Sequence, residues 1–229
     1  MTQWNSFTHC KRLLARLTIP AAFVVWAAPI AAQPLNCPLQ GDAKQELAKE
    51  LNPYKNRDDA PLIEQVNRNA TLSALLAPGD DLHRWSREDG AILEGVVINV
   101  KPGGIESVNC HARELENRDT HIEVALDPSA ISRQRVILEV TPRWRSKMAV
   151  IADWSTSALR KYLIGRRVWF IGWLFDDLEH KQQAENTNQG GDRNWRATVW
   201  EIHPVTGIQV LPVRKVNSTP NLHTRVSAN

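Results

Sequence analysis

Residues 166–175 read RRVWFIGWLF: two arginines, then eight uncharged residues, all but Gly172 apolar. A run this short and this apolar, rich in β-branched and aromatic side chains, predicts a central strand. Just upstream, residues 155–164 carry Leu159, Tyr162 and Leu163 at helical spacing, and Gly165 suits the helix C-terminus. Further upstream lie QRVILEVT (134–141) and DTHIEVAL (119–126). The second alternates, with Ile122, Val124 and Leu126 on one face and Asp119, His121 and Glu123 on the other. Residues 92–101 (ILEGVVINVK) precede Pro102-Gly103-Gly104, which predicts a hairpin into residues 105–110. Downstream, residues 195–203 and 206–213 read as two more strands separated by Pro204. Six or seven strands with one inserted helix predict a mainly β protein, a small closed barrel, over residues 91–213.

The flanks differ in character. Residues 33–90 are polar and uneven, a helical or irregular segment. DAKQELAKEL (42–51) predicts a short helix with Asp42 as N-cap and Pro53 as its stop, and residues 61–76 predict a second. Residues 214–229 are rich in Asn, Ser and Thr and read as a flexible tail. Residues 1–32 hold Lys11, Arg12 and Arg16, no acid, and an apolar stretch ending in Ala31-Ala32. That stretch is broken by two prolines and is too short to span a bilayer. It predicts a cleaved signal peptide, and hence export to the periplasm or the medium.

The chain of 229 residues is 42% hydrophobic and 23% charged, which excludes a disordered, collagen-like or polytopic membrane protein. Its 28 Lys+Arg and 25 Asp+Glu give a net charge of +3. The three basic residues of the signal account for that excess, so the mature chain is neutral and its overall charge does not argue for nucleic acid. Of three cysteines, Cys10 falls in the signal. Cys37 and Cys110 remain, either as one disulfide or as two buried thiols.

The stretch from Leu93 to Val210 resembles a family of secreted bacterial proteins of uncharacterised activity. The carriers are Asp119-Thr-His-Ile122, Glu139-Val-Thr-Pro-Arg143, Gly172-Trp-Leu174, and Asn194-Trp-Arg-Ala-Thr198 running into Trp200-Glu-Ile-His-Pro-Val-Thr206. The resemblance implies an exported β-barrel domain and no particular activity. More distantly, the strand order is similar to an OB-fold, a barrel that commonly binds oligonucleotides or oligosaccharides.

Two constellations carry chemistry. Asp119 with His121 and Glu201 with His203 form D-x-H and E-x-H pairs, and His180 lies in an acidic loop after the strongest strand. These side chains suit a divalent metal such as zinc, with an acid beside each His to orient its ring. The second constellation is a stretch from Arg133 to Arg167 with nine basic residues against Glu139 and Asp153, interleaved with Trp144 and Trp154. Trp195-Arg196 extends it. Arginine beside tryptophan suits stacking on bases or sugars with guanidinium groups on phosphates. Nucleophile-elbow, phosphate-loop and dinucleotide motifs are absent from the sequence.

The leading expectation is therefore an exported barrel that binds an anionic or ring-bearing polymer, single-stranded nucleic acid or polysaccharide. Its contact surface would be Arg143, Trp144, Arg145, Trp195 and Arg196. The alternatives are a metal-dependent phosphodiester hydrolase using Asp119, His121, His180, Glu201 and His203, and a structural envelope protein without a small ligand.

Overall fold

The computed structural model describes residues 36–212; the expected signal peptide and tail lie outside them. Five strands close a barrel: β1 (Gly90–Pro102), β2 (Thr120–Ala125), β3 (Val136–Val140), β4 (Arg167–Asp176) and β5 (Trp200–Val210). Their order around it is β1-β2-β3-β5-β4. All pairings are antiparallel except β3 with β5, which meet in parallel at Leu138 and Ile202. This is the OB-like barrel expected from the strand pattern.

Four helices accompany it: α1 (Glu46–Lys55), α2 (Leu72–Leu76), α3 (Pro142–Met148) and α4 (Thr156–Leu163). None is long and apolar enough to cross a membrane. The interior of the barrel is filled by Leu93, Ile122, Val124, Leu138, Val140 and Phe170, with Leu72 and Leu75 of α2 joining the same core.

Three expectations need correction. Residues 105–110 form no strand; they hold a 3-10 turn, Ser107–Asn109, with Cys110 in the left-handed region at φ 50°. Strand β1 pairs instead with β2, in a ladder from Val96 to Pro102 whose register shifts between Val97 and Asn99 and which satisfies the backbone of that edge. Residues 195–203 and 206–213 are not two strands. One strand starts at Trp200 and passes through a cis His203–Pro204 bond. Gly172 makes room for it, since a Cβ there would sit 2.2 Å from the Pro204 carbonyl oxygen. Finally, α1 starts three residues later than predicted, on Gln45 rather than Asp42, and runs through Pro53. Residues 61–76 break into a 3-10 turn and α2.

Helix α3 was not expected, although its start is written in the sequence. Thr141 accepts from the Trp144 amide and Pro142 occupies the first turn.

Candidate metal centre

Register brings the start of β2, the end of β3 and the first residues of β5 together: Thr120 faces Val140, His121 faces Glu139, Leu138 lies beside Ile202, and the end of β4 places Phe175 against Glu201. Alternation divides their side chains between two faces. Ile122, Leu138, Leu174 and Ile202 point into the core. Their neighbours His121, Glu139, Phe175, Glu201 and His203 fall on the opposite face. That face would meet water in a bare barrel, yet here it is buried.

Several parts of the chain cover it. Lys55 of α1, 2% exposed, lies 5.6 Å over the Phe175 ring. Asn109, from the loop between β1 and β2, donates to Asp119 at 2.8 Å. Trp195, from the loop between β4 and β5, stacks on His121 with 6.3 Å between ring centroids. Helix α1 is tied down by the Cys37–Cys110 disulfide, by Asn52 donating to the Gln40 carbonyl and by Asn56 donating to the Val108 carbonyl.

Under this cover, ligand atoms of Asp119, Glu139 and His203 all lie within 4.8 Å of one another. Asp119 Oδ1, Glu139 Oε2 and His203 Nε2 are buried and have no hydrogen-bond partner. Leaving such atoms unsatisfied costs roughly 1–3 kcal/mol each. The remaining atoms of the same three groups are held in place. Glu201 Oε1 sits 3.0 Å from His203 Nδ1 and fixes the ring, with Nε2 4.0 Å from Asp119 Oδ2 and Nδ1 3.7 Å from Glu139 Oε2. His121 Nε2 lies 2.9 Å from Glu139 Oε1, close enough for an ion pair though not aligned as a hydrogen bond. Carboxylate, carboxylate and an imidazole with a carboxylate behind it is a donor set suited to zinc, manganese or a similar divalent ion.

Asp119, Glu139, Asp177 and Glu201 are buried carboxylates, and Lys55, Arg145 and Arg196 are buried cations that interact with them, Arg145 with Asp119. The carboxylates outnumber these cations, and the histidines among them respond. Burial disfavours a charged His121, but Glu139, with Glu106 and Glu201, together outweigh burial and lift the imidazole from 6.5 to about 9. His203 is likewise raised against burial, by Glu139, Glu201 and Asp119 together. Burial and neighbouring carboxylates raise Asp119 to about 6 despite His203, while His121 and His203 hold Glu139 down near 2 against burial.

A pH dependence follows. His121 titrates higher in the folded state than in the unfolded one, so its stabilisation is complete below about pH 6.5 and is lost as pH rises towards 9. At about 1.4 kcal/mol per pKa unit the loss is about 3 kcal/mol. Urea melts of chelator-stripped protein should show the midpoint falling across that window, and His121→Gln should flatten the profile. A wild-type midpoint that stays level from pH 6.5 to 9 would contradict the assignment.

Three expected metal ligands take other roles: His121 pairs with Glu139 and is not one of the three converging groups, and neither are Glu201 and His180. Glu201 orients His203 and accepts from Arg196 at 2.6 Å. His180 lies away from the three converging groups, with its Nδ1 2.5 Å from Asp177 Oδ2 and its ring edge-on to Trp195. Glu139 was overlooked because it has no histidine two residues away in the sequence. It faces His121 only through the β2–β3 register. Lys55 was invisible for the same kind of reason, lying 64 residues before the nearest of the three ligands.

The expected contact surface is also corrected. Arg145 is buried and donates to the carbonyls of Trp154, Glu116 and Arg118 and to Thr120 Oγ1. Trp144 is buried with its Nε1 on the Arg57 carbonyl. Arg143 reaches inward to Asn56 and the Cys37 carbonyl. Arg196 is fully buried between Asp177 and Glu201. Trp195, like Arg143, stays half-buried, under the ammonium of Lys101. These arginines are structural because each closes several carbonyl or carboxylate contacts that a bare loop would leave open.

A cleft of about 630 Å³ leads towards the centre, lined by Asn52, Glu106, Ser107, Glu179 and His180. Lys55 lies beneath it, 3.5 Å from Glu106 and 3.3 Å from Glu179. No protein-family model, no curated protein and no solved structure matches the chain.

Proposed function

We propose that the chain is an exported divalent-metal-dependent hydrolase, with phosphodiesters as its substrate class. The observation that carries this reading is the convergence of Asp119, Glu139 and His203, each with a buried, unpartnered ligand atom. Export is supported by the Cys37–Cys110 bond, which persists in oxidising compartments. The order of the two expectations is thereby reversed, since four of the five residues offered as a polymer-contact surface turn inward.

A divalent ion bound there would polarise a phosphoryl oxygen and lower the pKa of a coordinated water. The chain's own part is to hold that chemistry in place. Glu201 keeps His203 in the tautomer with Nε2 free, and Arg196 holds Glu201. Lys55 brings a positive charge from α1 to the carboxylate cluster. The cleft beside Glu106, Glu179 and His180 is the approach for substrate.

The test is elemental analysis of protein purified without chelator or affinity-tag metal. One equivalent of a divalent ion is expected, absent from the Glu139→Gln/His203→Ala variant, together with chelator-sensitive cleavage of a chromogenic phosphodiester. No bound ion, and no thermal shift on adding zinc or manganese, would remove the metal. A bound ion without cleavage of any phosphodiester would remove the hydrolase and leave a structural metal site.

A further inference from the structure

A second group of basic and aromatic residues, which the metal centre does not use, lies at the start of β4. There the sheet's outer face is open, and Ile92, Glu94, Arg167, Trp169 and Ile171 are exposed. Register sets Trp169 of β4 between Glu94 of β1 and Gln209 of β5, three residues in one row across the strands. The next row is Ile92, Ile171 and Gly207.

Trp169 is 41% exposed, an unusual cost for so large a ring unless something covers it. Its edge is fixed: Nε1 donates to Glu94 Oε2 at 2.7 Å, while Arg167 binds the other oxygen of Glu94 at 3.3 Å. The ring is thus held at its rim by a hydrogen bond to the neighbouring strand. Beside it is a groove of about 780 Å³ walled by Arg166, Arg167, Trp169, Leu211 and Pro212. Arg166 is exposed and makes no ion pair among the described residues. Lys161 and Tyr162 are exposed on the last turn of α4, three residues before the groove begins at Gly165.

From these features we infer that this groove is a binding site for single-stranded nucleic acid, with Trp169 as the stacking platform and Arg166 and Arg167 as the phosphate contacts. The argument is charge and shape together. An immobilised indole face stacks on any base, and a guanidinium pair beside it pairs with a polyanion rather than with a neutral sugar chain. A duplex keeps its base faces inside its own stack and fits less well. Seven residues of β4 separate Trp169 from Asp176 at the rim of the metal centre, about 23 Å at ~3.3 Å per residue. The groove is therefore a separate site, and its test needs no metal and no turnover.

The experiment is fluorescence anisotropy of a labelled oligothymidylate with the full chain in the presence of chelator, over a salt series. Binding is expected, with log K falling against log salt at a slope of roughly −1.4, as for two phosphate contacts on a single strand. Trp169→Ala should weaken it by about 5- to 100-fold, while Trp169→Phe, which keeps a stacking ring, recovers most of it. Arg166→Glu/Arg167→Glu should abolish it at moderate salt. All of these residues are exposed, and circular dichroism and melting temperature report whether each variant is folded. Absence of binding, or variants that bind like the parent, would overturn the site. So would salt-independent binding of a neutral glycan that depends on Trp169 alone, which would make the platform a sugar site instead.

Discussion

Arg196→Met is expected to destabilise the protein by about 3–5 kcal/mol, the usual consequence of removing one partner from a buried ion cluster. The side chain is fully buried and its guanidinium bridges Asp177 at 2.9 Å and Glu201 at 2.6 Å. Methionine fills much the same volume, so the loss reports charge rather than packing. Two carboxylates would be left in a site that water does not reach, and Glu201 would no longer be fixed behind His203. Arg196→Lys should recover only part of the loss, because a point charge cannot serve two carboxylates on a planar fork. Urea melts followed by circular dichroism measure this directly. A loss under about 1 kcal/mol would mean that Asp177 and Glu201 find other partners or take up protons, and the ionic frame of the centre would have to be redrawn.

Cys37→Ser/Cys110→Ser has the second large effect. The bond joins residues 73 apart, and closing a loop of that size contributes about 4 kcal/mol in the chain-entropy account. The variant should lose a comparable amount, measured against wild-type protein without reductant. A functional consequence is expected as well. The bond anchors the segment leading to α1 against the loop that supplies Glu106 and Asn109, so Lys55, Glu106 and Asn109 all depend on it for their position. Divalent-ion affinity should fall more in this variant than in a surface control of equal stability. Equal affinities would show that the cover of the centre is held by its hydrogen bonds alone.

The parts of the molecule that could be read from sequence were those governed by local periodicity. The alternation of DTHIEVAL sets Ile122 and Val124 against His121 and Glu123, and the run at 166–175 is the longest-paired wall of the barrel, flanked by β1 and β5. Strand count was misread where partner choice decided the outcome. Residues 105–110 have the composition of a strand, but the facing edge of β1 is taken by β2. The E-x-H and D-x-H pairs drew attention to Asp119 and His203, because residues two apart on a strand share a face. Glu139 shares that face only through cross-strand register, which sequence spacing does not encode.

The amino-acid sequence by itself determined a mainly β barrel with one strongly apolar strand and the chemical types of its candidate ligands. All of these follow from patterns within a dozen residues, where side-chain period and turn chemistry act. Only the tertiary structure decided which charges are inside. The arginines at 143, 145 and 196 look on paper like a surface for polyanions, and folding turns them inward to satisfy carbonyls and carboxylates. Arg166 and Arg167, with Trp169 just beyond them, stay outside, where the described residues leave their side chains exposed. Burial is a property of what covers a residue. Here the cover is α1 and two loops, brought over the barrel rim from far away in the chain.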